Sequence, residues 1–299
     1  MAEAGLARET PSRRSVQCAS TRGLHRIAYL EWGDPRNRDV LVCVHGLTRT
    51  GRDFDALARA LSIRFRVVCP DIAGRGDSDR LPDPALYAVP QYVADMVTLI
   101  ARLDVDSVSW VGTSMGGLIG TALAAQAGSP VRRLVLNDVG AIVTRTSLER
   151  IASYVGKAPD FATIEEAERY IRQVSAPFGP HSDAEWRFLT ETWVRRNSDG
   201  SLRAHYDPRI AQAMAVPEND LELWSLYDAV RCPTLVLRGE HSDLLTRETA
   251  AEMARRGPKA KVVEIRGVGH APTLLHPGQI AIVRDFLSLR DFPPEGASA

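Results

Sequence analysis

Short apolar, β-branched runs recur along the chain and alternate with longer stretches of helical period. The runs are IAYLEW (27–32), DVLVCV (39–44), FRVVCP (65–70), SVSWVG (107–112), RRLVLND (132–138), TLVLRG (234–239) and KVVEI (261–265). Most are near-continuous in apolar character rather than alternating, which marks strands buried on both faces of a mostly parallel sheet. Between them, Val93, Met96, Val97, Ile100 and Leu103 fall at spacings of three and four, and this predicts a core-facing helix over 91–103. Ile280, Val283 and Leu287 repeat the pattern, with Pro277 at the first turn, where its missing NH has no helical partner to lose. The expected fold class is α/β, a mostly parallel central sheet flanked by helices.

The alternation stops between about 141 and 229, where helical fragments follow one another without a buried strand, separated by turn-prone clusters such as SAPFGPHSD and RNSDGS. This predicts an inserted helical cap on a core formed by 23–140 and 230–291. More than half of the chain's Phe, Trp and Tyr lie in the insertion, Trp186 and Trp224 among them, as suits an apolar cover over a cleft. Residues 1–22 are polar and unpatterned and are expected to be a flexible tail, as are 292–299.

Composition narrows the function classes. With 37 Lys plus Arg against 37 Asp plus Glu, the formal charge of zero gives no electrostatic case for nucleic acid or an anionic membrane as a partner. Four cysteines, Cys18, Cys43, Cys69 and Cys232, lack the paired spacings of a zinc or redox motif and read as thiols in a reducing compartment. No apolar run is long enough for a membrane span or a secretory segment, so the expected location is cytoplasmic. Neither a dinucleotide or P-loop glycine pattern nor a clustered set of histidine ligands is present.

The chemistry concentrates at strand ends. SVSWVG runs into Gly112-Thr113-Ser114-Met115-Gly116-Gly117 and then a small, apolar helical stretch. A strand-to-helix turn this tight strains the residue at its apex and crowds the positions two before and two after it, so glycine is needed at 112 and 116. Ser114 is thereby lifted out of the sheet at a helix N-terminus, where developing negative charge is favoured. A serine nucleophile needs a base, and the base needs a carboxylate to hold its tautomer. His270, in the glycine-flexed loop GVGHAP after KVVEI, is placed to be the base. For the carboxylate, Asp243 follows TLVLRG at another strand end, with Glu240 in the same loop and Asp138 after RRLVLN as rivals. Oxyanion donors are expected from the NH groups of Leu47, after His45-Gly46, and of Met115. His45 itself reads as a loop-organising histidine and Ser78 as a turn residue. Arg49 and Arg52 lie just beyond the oxyanion turn, within reach of a substrate carboxylate or else on the solvated side of the next helix.

VCVHGLT, DIAGRGDSD (71–79), VGTSMGG, LVLRGEHSD and GVGHAP occur in an order and spacing that resembles the α/β-hydrolase superfamily, over roughly 24–290. The likeness is to serine-nucleophile, esterase-like members with a helical cap inserted between Asp138 and the strand starting near Thr234. It implies a Ser114, His270, Asp243 triad acting on a small-molecule ester or related acyl bond, with no metal or organic cofactor. Many members place the aspartate three residues after the loop glycine, whereas Asp243 comes four after Gly239. Dehalogenases and epoxide hydrolases of this superfamily carry aspartate at the nucleophile position, so Ser114 argues against them. Lactonase, carbon-carbon hydrolase and acyltransferase activities share the first half of the mechanism, and a non-hydrolytic ligand receptor is the alternative of another class.

Overall fold

The computed structural model describes residues 10–289; the expected tail at 292–299 and the first nine residues of the expected tail at 1–22 lie outside them. The rest of that N-terminal tail is not loose. Ser12–Ser20 forms strand β1, paired antiparallel with β2 (Gly23–Trp32) across a turn at Thr21 and Arg22. β1 is an edge strand in which only Val16 and Cys18 are buried, so its sequence carries almost no apolar pattern. Behind it, His25 and Asp95 are both buried and meet at 3.0 Å, fastening the hairpin to helix α2 (Val89–Arg102).

β3 (Val40–Val44), β4 (Arg66–Pro70), β5 (Val108–Thr113) and β6 (Val131–Asn137) follow, and beyond the insertion β11 (Thr234–Gly239) and β12 (Lys261–Ile265) complete an eight-stranded sheet. Its order is β1-β2-β4-β3-β5-β6-β11-β12, parallel from β4 to β12. All the sequence-predicted runs are strands. Because β4 and β5 lie on opposite sides of β3, the loops after β3 and β5 part at their carboxyl ends and open a crevice there.

Both faces of the sheet are covered. On one, Leu57 and Leu61 of α1 (Asp55–Leu61) and Val283 and Phe286 of α9 (Pro277–Leu287) pack on Leu41, Cys43, Val135 and Leu235. On the other, Met96 and Leu99 of α2, Ile119 and Leu123 of α3 (Met115–Ala124) and Met253 of α8 (Arg247–Met253) pack on Val42, Val44 and Trp110. Each fully buried aliphatic side chain contributes about 1.5–3 kcal/mol, so the sheet's central strands are its rigid part. The four cysteines are free thiols. Among the described residues no helix is long and apolar enough to cross a membrane.

Between β6 and β11 the chain forms short strand β7 (Ile142–Val143), helices α4 (Arg145–Tyr154), α5 (Ile164–Val174) and α6 (Asp183–Glu191), the hairpin β8 (Val194–Arg196) and β9 (Leu202–Ala204), strand β10 (Leu221–Glu222), paired with β7, and α7 (Trp224–Ala229). Phe161, Tyr170 and Trp193 form its aromatic centre, with ring centroids 5.4–6.1 Å apart. Polar contacts seat it on the sheet's carboxyl edge: Asp207 NH donates to Gly74 O at 2.7 Å, and Gly76 NH to His205 O at 2.9 Å.

Candidate active site

Ser114 stands between β5 and α3 with φ 51° and ψ −117°, a conformation that costs a non-glycine residue about 1–3 kcal/mol. The surrounding backbone holds it there. Its NH donates to Asn137 O at 3.0 Å, and its carbonyl accepts the NH groups of Gly117 and Leu118. A methyl at 112 would overlap the backbone of Gly116, and one at 116 would overlap the carbonyl of Val44, which is why both positions are glycine. Asn137, fully buried, donates from Nδ2 to Thr113 Oγ1 at 2.9 Å and to Pro272 O at 2.8 Å. One amide thus ties the nucleophile's strand to the loop carrying His270. Nothing in the strand pattern singles Asn137 out, since it ends an apolar run as any turn residue would.

His270 Nε2 lies 3.0 Å from Ser114 Oγ, and His270 Nδ1 lies 2.8 Å from Asp138 Oδ2. The carboxylate hydrogen-bonded to His270 is that of Asp138, not that of the expected Asp243. Asp138 directly follows β6 in a left-handed conformation (φ 56°), which aspartate tolerates better than most residues, and its side chain is wholly buried. Oδ1 accepts the Gly239 NH at 2.7 Å, and Oδ2 accepts the Ser242 hydroxyl at 2.6 Å as well as the imidazole NH. The loop after β11 therefore contributes a hydroxyl to the acid rather than the acid itself. Asp243 turns the other way, 41% exposed, and accepts Arg150 Nε at 2.5 Å and Nη2 at 2.9 Å. Glu240, the other rival, accepts the Gly267 NH at 2.8 Å.

The segment expected to supply an oxyanion donor follows β3. Leu47 and Ser114 line the same cleft, and a Cβ at Gly46 would sit 3.7 Å from Ser114 Cβ. Among the described residues, neither the Leu47 NH nor the Met115 NH has a protein acceptor, so both are free to hold a developing oxyanion.

His45 is not part of the hydrogen-bonded triad. Fully buried, its Nδ1–H donates to Gly46 O at 2.7 Å and its Nε2 accepts the Ile72 NH at 3.0 Å, which fixes the turn. Burial, reinforced by the charges of Arg75 and Arg49, pushes its pKa down to about 3. In the unfolded chain the same ring takes a proton below about pH 6.5, so between those limits the unfolded state binds more protons and stability falls with falling pH. Burial pushes the neighbouring Asp71 carboxyl up to about 6, which acts in the opposite direction between about pH 4 and 6. Comparing wild type with His45→Gln cancels Asp71. We expect the variant to be less stable at pH 7, and its deficit to shrink by about 2 kcal/mol by pH 5 in urea unfolding, because only the wild type resists the proton. A deficit that stays constant over that range would contradict a neutral His45.

Arg49, Arg150, Tyr154, Phe178 and Trp193 are among the walls of the cleft over Ser114. Arg49 is in place beside the site, but its guanidinium is committed to Asp53 (2.6–3.0 Å) and to Leu189 O (3.1 Å). Arg52 pairs with Asp55 instead and does not line the cleft. Neither expected tryptophan is in the cleft wall. Trp186 packs against His181 and under Arg172, and α7, which carries Trp224, packs on α3 with Arg256 over the indole at 4.2 Å. Trp193 and Tyr154 take their place. Ser78 has the expected turn role, donating to Asp71 O and accepting the Ala28 NH. The grouping of metal-ligating side chains found among the described residues is Cys18, His25 and Asp95. They are buried under the β1–β2 hairpin, where burial pushes the Cys18 thiol up to about 12.

The sequence profile described as the alpha/beta hydrolase fold matches residues 39–277. Over 282 residues, 91% of this chain and 96% of the relative, the chain is 52% identical to a 3-hydroxybutyrate-oligomer hydrolase of Cupriavidus necator. Among solved structures it is similar to a hydrolase from Rickettsia typhi (TM-score 0.88, 30% identity, 94% of this chain and 100% of that one). It is also similar to an α/β hydrolase from Novosphingobium aromaticivorans (TM-score 0.84, 37% identity, 95% and 99%). Strand order, elbow and sequence agree, and the chain belongs to the family with the alpha/beta hydrolase fold.

Proposed function

We propose that this protein is a serine hydrolase of short hydroxyacid esters, with linear oligomers of 3-hydroxybutyrate as its substrate class, acting through an acyl-enzyme on Ser114. The observation that carries the chemistry is the unbroken hydrogen-bonded chain from Ser114 Oγ through His270 to Asp138, beside two NH groups without protein acceptors. The substrate class is supported by the 52% identity, over nearly the whole of both chains, to the Cupriavidus necator oligomer hydrolase.

In the proposed cycle His270 Nε2 takes the serine proton as Oγ attacks the ester carbonyl, and the Leu47 and Met115 NH groups hold the oxyanion. His270 then gives that proton to the leaving hydroxyacid, and the ester bond breaks. Water enters and attacks the acyl carbonyl as it loses a proton to His270, which passes that proton to Ser114 Oγ as the acyl–Oγ bond breaks, so that one ester and one water become one acid and one alcohol. Asp138, held by Gly239 and Ser242, keeps the imidazole NH on Nδ1 throughout. In such oligomers the leaving unit bears a carboxylate. Arg150, a third exposed at the cleft wall and steadied by Asp243, supplies the positive charge that such a group needs.

Incubation with the linear 3-hydroxybutyrate dimer and trimer, followed by chromatography, should show monomer as the product. A fluorophosphonate label should map to Ser114 in the same preparation. Labelling without oligomer cleavage would keep the nucleophile and remove the substrate class. Preference for a lactone, a vinylogous diketone or an alcohol acceptor over water would redirect the reading to the other reactions this triad supports.

A further inference from the structure

Arg75, in the loop Asp71-Ile72-Ala73-Gly74-Arg75-Gly76 after β4, is wholly buried. Its Nε donates to the carbonyl of Leu47 at 2.9 Å, and Nη1 donates to the carbonyl of Ala73 and the hydroxyl of Tyr92, both at 2.7 Å. Nη2 lies 3.6 Å from the sulfur of Met115. The rings of Tyr92 and Tyr87 face the guanidinium, with centroids 5.1 and 5.6 Å from its central carbon. Among the described residues no carboxylate stands within ion-pair distance of it.

A guanidinium stays charged inside a protein, and buried charges ordinarily have an opposite charge beside them. This one has carbonyls, a phenol, a thioether and aromatic faces instead. Outside its own loop and α2, the guanidinium nitrogens contact Leu47 and Met115, the two residues whose NH groups flank Ser114's reaction centre. We infer that Arg75 is a positioning residue of the oxyanion hole: its planar fork fixes Leu47 and Met115, and its charge finds its counter-ion only when the tetrahedral oxyanion forms. The Leu47 carbonyl and NH flank one α-carbon, so pinning the carbonyl restricts the backbone rotation that aims the NH. The uncompensated positive potential acts in a low-dielectric interior, where it is weakly screened. A neutral ester does not exploit it and the anionic transition state does, so its effect belongs in kcat rather than in KM.

The inference rests on the acyl-transfer reading of Ser114 but not on the identity of the ester. The test uses the full chain with p-nitrophenyl butyrate as substrate and a butylboronic acid, which forms an anionic tetrahedral adduct on the serine, as inhibitor. Arg75→Gln should lower kcat by about tenfold to hundredfold with KM changed by no more than about twofold, and weaken the boronic acid in step with kcat/KM. Arg75→Lys keeps the charge without the fork; it should show the same signs with a smaller loss, and it keeps the test alive if the glutamine variant does not fold. Thermal melting establishes which variants are folded. A folded variant with wild-type kcat, or one whose kcat falls while boronic acid affinity stays at the wild-type value, would overturn the role. If the wild type neither turns over the ester nor binds the boronic acid, the acyl-transfer reading itself has failed, a result distinct from either.

Discussion

Ser114→Ala is expected to lower ester turnover by about four to six powers of ten while leaving the protein folded. The size follows from what the hydroxyl does alone. Without Oγ there is no acyl-enzyme, and the remaining groups can only assist direct attack by water, for which His270 Nε2 and the two NH donors were not arranged. They should still bind the carbonyl oxygen, which leaves activity above the uncatalysed rate but far below that of the intact enzyme. Stability should shift by no more than about 1 kcal/mol, because the backbone bonds that hold residue 114 at φ 51°, donated to Asn137 and accepted from Gly117 and Leu118, do not involve the side chain. Steady-state assays on the 3-hydroxybutyrate dimer and on p-nitrophenyl butyrate, with a fluorophosphonate label as control for the nucleophile, measure the loss. Turnover retained at more than about a hundredth of wild type, in protein free of contaminating esterase, would remove Ser114 from the mechanism.

The elbow is legible in the sequence because steric demand is written in residue type: only glycine fits at 112 and 116, and the adjoining runs read as strand and helix. The parallel strands are equally plain, since burial on both faces leaves them continuously apolar. β1 is not, because an antiparallel edge strand buries only every second residue, and Ser12–Ser20 spends the other positions on Arg, Gln and Ser. The tryptophans of the insertion mislead for a related reason. Composition shows that an apolar cover exists, but which face of each helix turns toward the cleft depends on how the helices dock, and Trp193 rather than Trp186 or Trp224 reaches the cavity. The acid is the subtler case. Asp138 and Asp243 both follow strands that end at the same edge of the sheet, and chain order does not say which carboxylate turns inward. What decides it is three-dimensional: Asp138 takes a left-handed backbone and finds the Gly239 NH and the Ser242 hydroxyl waiting, whereas Asp243 has the guanidinium of Arg150 on the insertion side.

Asp138→Asn should therefore be the damaging acid substitution, with kcat falling by about four powers of ten, and Asp243→Asn the mild one, within about tenfold and expressed mainly in KM through a loosened Arg150. The asymmetry can be argued atom by atom. Asp138 accepts from three donors: the Gly239 NH and the imidazole Nδ1–H, both fixed in direction, and the Ser242 hydroxyl, which can rotate. Asparagine offers one oxygen and one NH₂ group. If the oxygen stays on the Gly239 NH, the NH₂ faces His270 Nδ1, and the ring must accept there and carry its proton on Nε2, toward Ser114. An imidazole in that tautomer cannot take the serine proton, although nothing has moved. If the amide flips, the Gly239 NH is left buried against another NH, at a cost of about 1–3 kcal/mol, so the unproductive arrangement is the favoured one. Measured on one ester, the two variants should differ by about a thousandfold in kcat. Should Asp243→Asn prove the more damaging, the hydrogen bond between Asp138 and His270 would not be the one that orients the base.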